Sequence, residues 1–265
     1  MVTRAPGWAA TLSAALLSAA LPASASLQEQ EGLAHDPDSG ALLYREQHLL
    51  EHDEDGLRRR LVVYRCADGT AFARKQVDYG DSALAPSFDF VDARLGYREG
   101  LRRDGQGGEL WVRRHADGEE RRAPVAGGEA LVADAGFDEF IRRRWQPLVA
   151  GKPVPLQFAV PSRLDAYDFT VRRRGSGEVA GEPAEFFRLR LGGLLGWLAP
   201  HIDVAYGRES RRLLRFEGLS NLRDEQDGEP LLARIDFPAP AAPAAAGQWR
   251  ALEGEPLSAC RVRPG

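Results

Sequence analysis

The sequence predicts a mainly β protein, an antiparallel meander forming an unclosed or half β-barrel with one amphipathic helix packed on its concave face. Three observations carry this. Asp-Gly occurs five times, at 55–56, 68–69, 104–105, 117–118 and 227–228. Between extended runs it favours hairpin turns, because both residues tolerate positive φ. The runs between these turns alternate with period two, and one segment alone shows helical spacing.

Taken in order, the first strand is read at 44–52, between Ser39-Gly40 and the acidic turn Asp53-Glu54-Asp55-Gly56. The next, from Leu57 to Arg65, sets Leu57, Leu61 and Val63 on one face of a pleated strand. Phe72 to Tyr79 follows. Further strands are expected at 109–115, 119–125, 153–160, 166–174, 184–192, 201–206, 211–218 and 231–237. Phe187, Leu189 and Leu191 alternate with Arg188 and Arg190, and Leu231, Ala233, Ile235 and Phe237 repeat the pattern. Many short strands with regular turns indicate a curled antiparallel sheet.

The exception is residues 134–151, DAGFDEFIRRRWQPLVAG. Phe137, Phe140, Ile141, Trp145, Leu148 and Val149 recur at helical spacing, Asp134 is placed to cap the start, and Pro147 and Gly151 bring the end. The aromatic stripe has two readings: ordinary core against the sheet, or the lining of a cavity for an apolar ligand. Residues 191–203, LGGLLGWLAPHID, put Leu194, Leu195, Trp197 and Leu198 where a polar connection is expected. Leu194 and Trp197 are either a buried corner or an apolar lip at a cavity mouth. The ligand-binding candidates are therefore Phe137, Phe140, Ile141, Trp145, Leu194 and Trp197.

The ends bound the domain. Arg4, the apolar run Ala9–Leu21 and Ala23-Ser24-Ala25 read as a cleavable secretory signal over 1–25, too short an apolar run for a membrane span. Residues 26–238 then form one β-rich domain, and 239–265 a Pro/Ala linker and tail, part of which docks again through Trp249 and Cys260. The expected location is the periplasm, with no integral membrane span. Without Arg4, 34 basic residues face 39 acidic ones. Acids are interspersed among the Arg triplets at 58–60, 142–144 and 172–174, which argues against nucleic acid. Cys66 and Cys260 are the only cysteines. In an oxidising compartment they are candidates for a disulfide, although sequence leaves open whether they meet.

One motif looks catalytic. His48-Leu49-Leu50-Glu51-His52 has the H-x-x-E-H spacing of a zinc helix. Read as a strand, four residues span about 13 Å, so the two imidazoles cannot share a metal. No metal or other cofactor is expected, and both histidines are read as surface residues of a hairpin. Gly218-Leu219-Ser220-Asn221-Leu222 lacks the second glycine of a nucleophile elbow. His115 and His201 have no identifiable partner in the sequence. Glu46 is read as pairing with Arg74 and Lys75 across neighbouring strands.

The stretch RWQPLVAGKPVPLQFAVP, with the late strands IDVAYGRESRRLLRFEGLSNL and LLARIDFP, resembles LolA/LolB-type periplasmic proteins over roughly residues 38–238. The resemblance implies an unclosed half-barrel covering an apolar cavity with helices, and carriage of acyl chains or other lipids. This chain departs from that pattern in showing one clear helix and a longer tail. The expected function is a non-enzymatic periplasmic carrier of a lipid or other apolar small molecule. The alternatives are a structural envelope-assembly protein with a packed barrel and, third, an exported hydrolase.

Overall fold

The computed structural model describes residues 1–3, 26–104, 107–128, 130–193 and 201–262. The first half of the chain supplies β1 (Ser26–His35), β2 (Leu42–Asp53), β3 (Gly56–Arg65), β4 (Ala71–Asp78), β5 (Ser87–Asp92), β6 (Tyr97–Asp104), β7 (Gly107–Arg113) and β8 (Arg121–Ala126). A short β9 (Leu131–Ala133) leads into α1 (Gly136–Arg143) and α2 (Trp145–Val149). The meander then resumes with β10 (Val154–Val160), β11 (Asp165–Val179), β12 (Glu182–Leu191), β13 (Ile202–Gly207), β14 (Leu213–Arg223) and β15 (Pro230–Asp236). The tail adds a two-residue β16 (Ala242–Pro243) and α3 (Gln248–Glu253).

All sixteen strands belong to one sheet, in the order β8-β7-β6-β5-β4-β3-β2-β1-β15-β14-β13-β12-β11-β10-β9, with β16 branching from β1. Sequential hairpins explain nearly every neighbour. The one long-range seam is β1 against β15, where Ala34 faces Ile235, and the one parallel pair among these is β9 with β10. The sheet is not closed: β8 and β9 are its edges. Near these edges Arg114 Nη2 donates to Ser162 O at 2.8 Å. The expected half-barrel is therefore present.

Turn chemistry follows the Asp-Gly signals. Gly56, Gly69 and Gly228 have positive φ, the region that a side chain disfavours, whereas Gly118 does not. The Asp104-Gly105 turn lies partly outside the described residues. Strands at β1, β5, β6 and β9 are additional to those expected. The helix expected over 134–151 is two segments rather than one. Pro147 has no N–H to offer Arg143 O, so the helix breaks at Arg144 and restarts as α2. Asp134 does not cap it; the N-cap is Ala135, with no side-chain cap.

The tail docks on the convex face. Leu49, Leu61, Val63 and Ala71 point outward from β2–β4 and pack with Leu252, Trp249 and Leu257. Cys66 and Cys260 form a disulfide, with Cα atoms 6.5 Å apart across 194 residues of sequence. Arg65 grips Glu255 with two hydrogen bonds, at 2.7 and 2.6 Å, which hold the Glu255 carboxyl below its usual range.

Candidate functional site

The concave face divides into two lanes, and the apolar one lies beneath α1. Three features explain why a helix forms there. Phe137, Phe140 and Ile141 make one apolar face. Asp138 and Glu139 occupy the first turn and Arg142 and Arg143 the last, in the sense the helix dipole favours. Asp138–Arg142 and Glu139–Arg143 close as i,i+4 pairs, both at 2.7 Å. Gly136 permits the close approach of the β4–β5 connection, because a Cβ there would lie 2.0 Å from Leu84 O.

All four described candidates, Phe137, Phe140, Ile141 and Trp145, are buried in one cluster with Val132, Leu156, Val171, Phe187, Leu189 and Val204. Trp145 meets Phe187 edge-on at 5.6 Å and Phe137 meets Phe158 at 6.3 Å. Leu194 and Trp197, the other two candidates, lie outside the described residues. The helical cover is held at its rim by charge. Lys75 Nζ donates to Asp134 at 2.9 Å, and Arg60 and Arg142 both reach Asp138 Oδ2, at 3.5 and 2.7 Å. The Arg211 guanidinium lies 5.5 Å from the Trp145 ring.

The second lane, on β2–β6 facing β14, threads a polar network through an apolar core that includes Val62, Val77, Phe88, Phe90 and Leu101. Alternation turns Tyr44, Glu46, His48 and Leu50 of β2 inward, together with Arg60 and Tyr64 of β3, Lys75 of β4, Asp92 of β5 and Tyr97 and Glu99 of β6. Arg223 Nη2 donates to Tyr97 Oη at 2.6 Å, and Tyr97 donates to Glu99 Oε2 at 2.7 Å. Asn221 Nδ2 donates to Glu99 Oε1 at 2.8 Å and accepts from Lys75 Nζ at 3.2 Å. The chain of contacts thus runs from β14 through β6 and β4 to the start of α1. A register irregularity in β14 between Leu219 and Arg223 contains Asn221 and ends at Arg223; bulges re-aim side chains in this way. Burial pushes the Tyr44 and Tyr64 phenols well above their usual range, and Tyr79 up to about 12.

The histidine motif lies on β2, as a strand, so His48 and His52 are not helical neighbours. Among the described residues no group of three or more metal-type ligands converges. The surface placement of His48 is corrected, however: it is 6% exposed. Its Nε2 lies 2.8 Å from Glu46 Oε2, and Phe237 closes on the ring at 5.6 Å. Burial lowers its pKa, against the opposing pull of Glu46. The expected Glu46 pairing with Arg74 and Lys75 is corrected too. Arg74 points outward and donates to Glu255 O, while Lys75 serves Asp134 and Asn221. His201 has an acid neighbour that sequence reading did not pair with it, Asp203 at 3.6 Å.

No family model matches the chain, and no curated protein matches it in sequence. Two solved structures are similar at low identity. One is a beta-barrel-like protein of domain of unknown function DUF1849 from Brucella abortus, at TM-score 0.37 and 9% identity, covering 85% of this chain and 100% of that one. The other is a DUF1329 family protein from Desulfovibrio piger, at TM-score 0.27 and 14% identity, covering 84% of this chain and 87% of that one.

Proposed function

We propose that the protein is an exported, non-enzymatic carrier of a lipid or other apolar small molecule, held between α1 and the apolar lane of the sheet. One observation carries the reading. The apolar lane is roofed by a separate helical element that buries Phe137, Phe140, Ile141, Trp145 and Leu148 against it, with Asp138 and its partners Arg60, Arg142 and Tyr206 supplying the polar contacts. Side chains packed by dispersion and area burial can exchange one apolar partner for another at small cost. An acyl chain can therefore replace the Phe137, Phe140 and Ile141 contacts once the helix lifts. The signal at 1–25 and the resemblance to LolA/LolB-type carriers support the same reading.

The edge-on aromatic contacts of Trp145 and Phe137 favour a second reading, a structural barrel with a packed interior. A paired measurement on Phe140→Ala separates the two. In a carrier, the variant loses bound lipid with a modest drop in urea midpoint. In a close-packed core it costs about 3–5 kcal/mol, and the parent protein never yields lipid.

A further inference from the structure

We infer that the ligand carried beneath α1 is an acidic amphiphile, an alkyl chain ending in a carboxylate or phosphate, and that Arg60 and Lys75 form its head-group site. The inference rests on the carrier reading and adds a head to the chain. In this structure the protein's own carboxylates occupy that site. Lys75 Nζ donates to Asp134 at 2.9 Å and Arg60 Nη2 to Asp138 at 3.5 Å. Both pairs are shielded from water: none of the four side chains is more than 16% exposed.

The two halves of each pair sit on different elements. Arg60 and Lys75 belong to β3 and β4, interior strands of the sheet. Asp134 is the link between β9 and α1, and Asp138 lies in the first turn of the helix. Raising α1 to admit an alkyl chain therefore carries both carboxylates away. Asp138 keeps a cation, because Arg142 of the same helix holds it at 2.7 Å. Arg60 and Lys75 have no second ion pair among the described residues; Lys75 retains only the Asn221 side-chain oxygen, at 3.2 Å. A shielded cation stripped of its partner is strongly unfavourable. The raised state thus favours a ligand that brings an anion of its own.

Donors are already in excess at this point. Arg60 Nε and the Tyr79 hydroxyl are both buried without a hydrogen-bond partner among the described residues, and Tyr79 lies within electrostatic range of Arg60, Asp134 and Asp138. Carboxylate and phosphate oxygens accept several hydrogen bonds at once and pair with guanidinium and ammonium groups; an alcohol or ester head brings no charge. The closed pairing also carries a backbone cost, since Asp134 has φ 43°, in the left-handed region. That cost falls on the residue whose carboxylate the ligand would replace.

The test is displacement of an uncharged apolar dye, N-phenylnaphthylamine, by three ligands of equal chain length: laurate, dodecyl phosphate and dodecanol. At least one acid should bind about tenfold more tightly than the alcohol, the worth of a charge-assisted hydrogen bond to a shielded cation. Which acid is preferred identifies the head. The double variant Lys75→Met/Asp134→Leu removes cation and carboxylate together, so that neither is stranded, and should lose most of the preference. Asp134→Asn removes only the internal competitor and should widen it. Equal binding of all three ligands leaves the carrier reading standing and overturns this inference, as does a preference that either variant leaves unmoved. No binding of any of the three overturns both.

Discussion

The two lanes of the concave face both fill the inside of a curled sheet with apolar side chains, but only one threads a buried polar network through them. Under α1 the filling is aromatic and aliphatic, held by packing and edge-on ring contacts. Across β2–β6 an apolar core is crossed by a chain of buried donors and acceptors linking residues more than 120 positions apart, such as Tyr97 with Arg223 and Glu99 with Asn221. The difference is one of exchangeability. A buried hydrogen-bonded charge has few acceptable partners, because leaving it unpaired costs its full desolvation. An apolar side chain accepts any apolar neighbour of suitable shape. The polar lane therefore acts as the fixed part that holds the sheet's curvature, and the apolar lane is the part that can open.

The largest effect expected comes from the tail rather than either lane. Replacing Cys66 and Cys260 by Ser together should lower stability by several kcal/mol, with about 5 as an upper guide from loop entropy. Hydrogen exchange should rise in α3 while β2–β6 stay protected. Equal loss of protection throughout would show that the convex-face strap and the polar lane are one cooperative unit.

Next in size is the junction between the lanes. Lys75→Met leaves the Asp134 carboxylate buried without its cation and should cost about 3–5 kcal/mol by urea midpoint. Adding Asp134→Leu should recover much of the loss. If the single change is neutral, the polar lane is not the fixed part, and the contrast drawn between the lanes fails.

A smaller effect is acid sensitivity at His48. Burial holds its folded pKa below the ordinary 6.5, so the unfolded chain takes up the proton first as pH falls. The stability tied to the neutral ring is present above about pH 6.5 and is lost as pH drops towards the folded pKa, at no more than about 1.4 kcal/mol per unit. His48→Gln should flatten the urea-midpoint profile over that window; an unchanged profile would put the acid response elsewhere. At the zero end of the scale, chelators should leave the midpoint unmoved. Stoichiometric zinc lost on His48→Ala would contradict the strand geometry at His48 and His52.

The same contrast explains what could be read from the sequence. Strands facing apolar neighbours were legible: β12 and β15 alternate in plain view, and Phe137, Phe140 and Ile141 declare a helix. The hidden elements lie mostly beside the polar lane. β1 turns Gln28, Gln30 and Gly32 towards the β2 side that carries Glu46 and His48, so its inner face shows no hydrophobic repeat. β6 puts Glu99 between Tyr97 and Leu101. β5 begins the pattern with Phe88 and Phe90 and then turns Asp92 inward, at 0% exposure. Hydrophobic periodicity presupposes an apolar inner face; where polar residues interrupt it, as in β1 and β6, the strand is hidden, and in β2 the strand shows but its buried polar groups do not. His48 is the clearest case: its strand was read correctly and its face was not. Only the Tyr97-x-Glu99 and Glu46-x-His48 alternations could have flagged the network, and neither is distinctive without the fold.

The central claim is that the apolar lane holds a ligand. The most direct measurement is native mass spectrometry of the parent protein purified without detergent, with lipid extraction of the same sample. The account predicts a mass excess matching about one lipid-sized molecule per chain, released on denaturation and recovered in the extract. A bare polypeptide mass in every preparation, with nothing apolar extracted, would contradict it and leave α1 as the roof of a packed core.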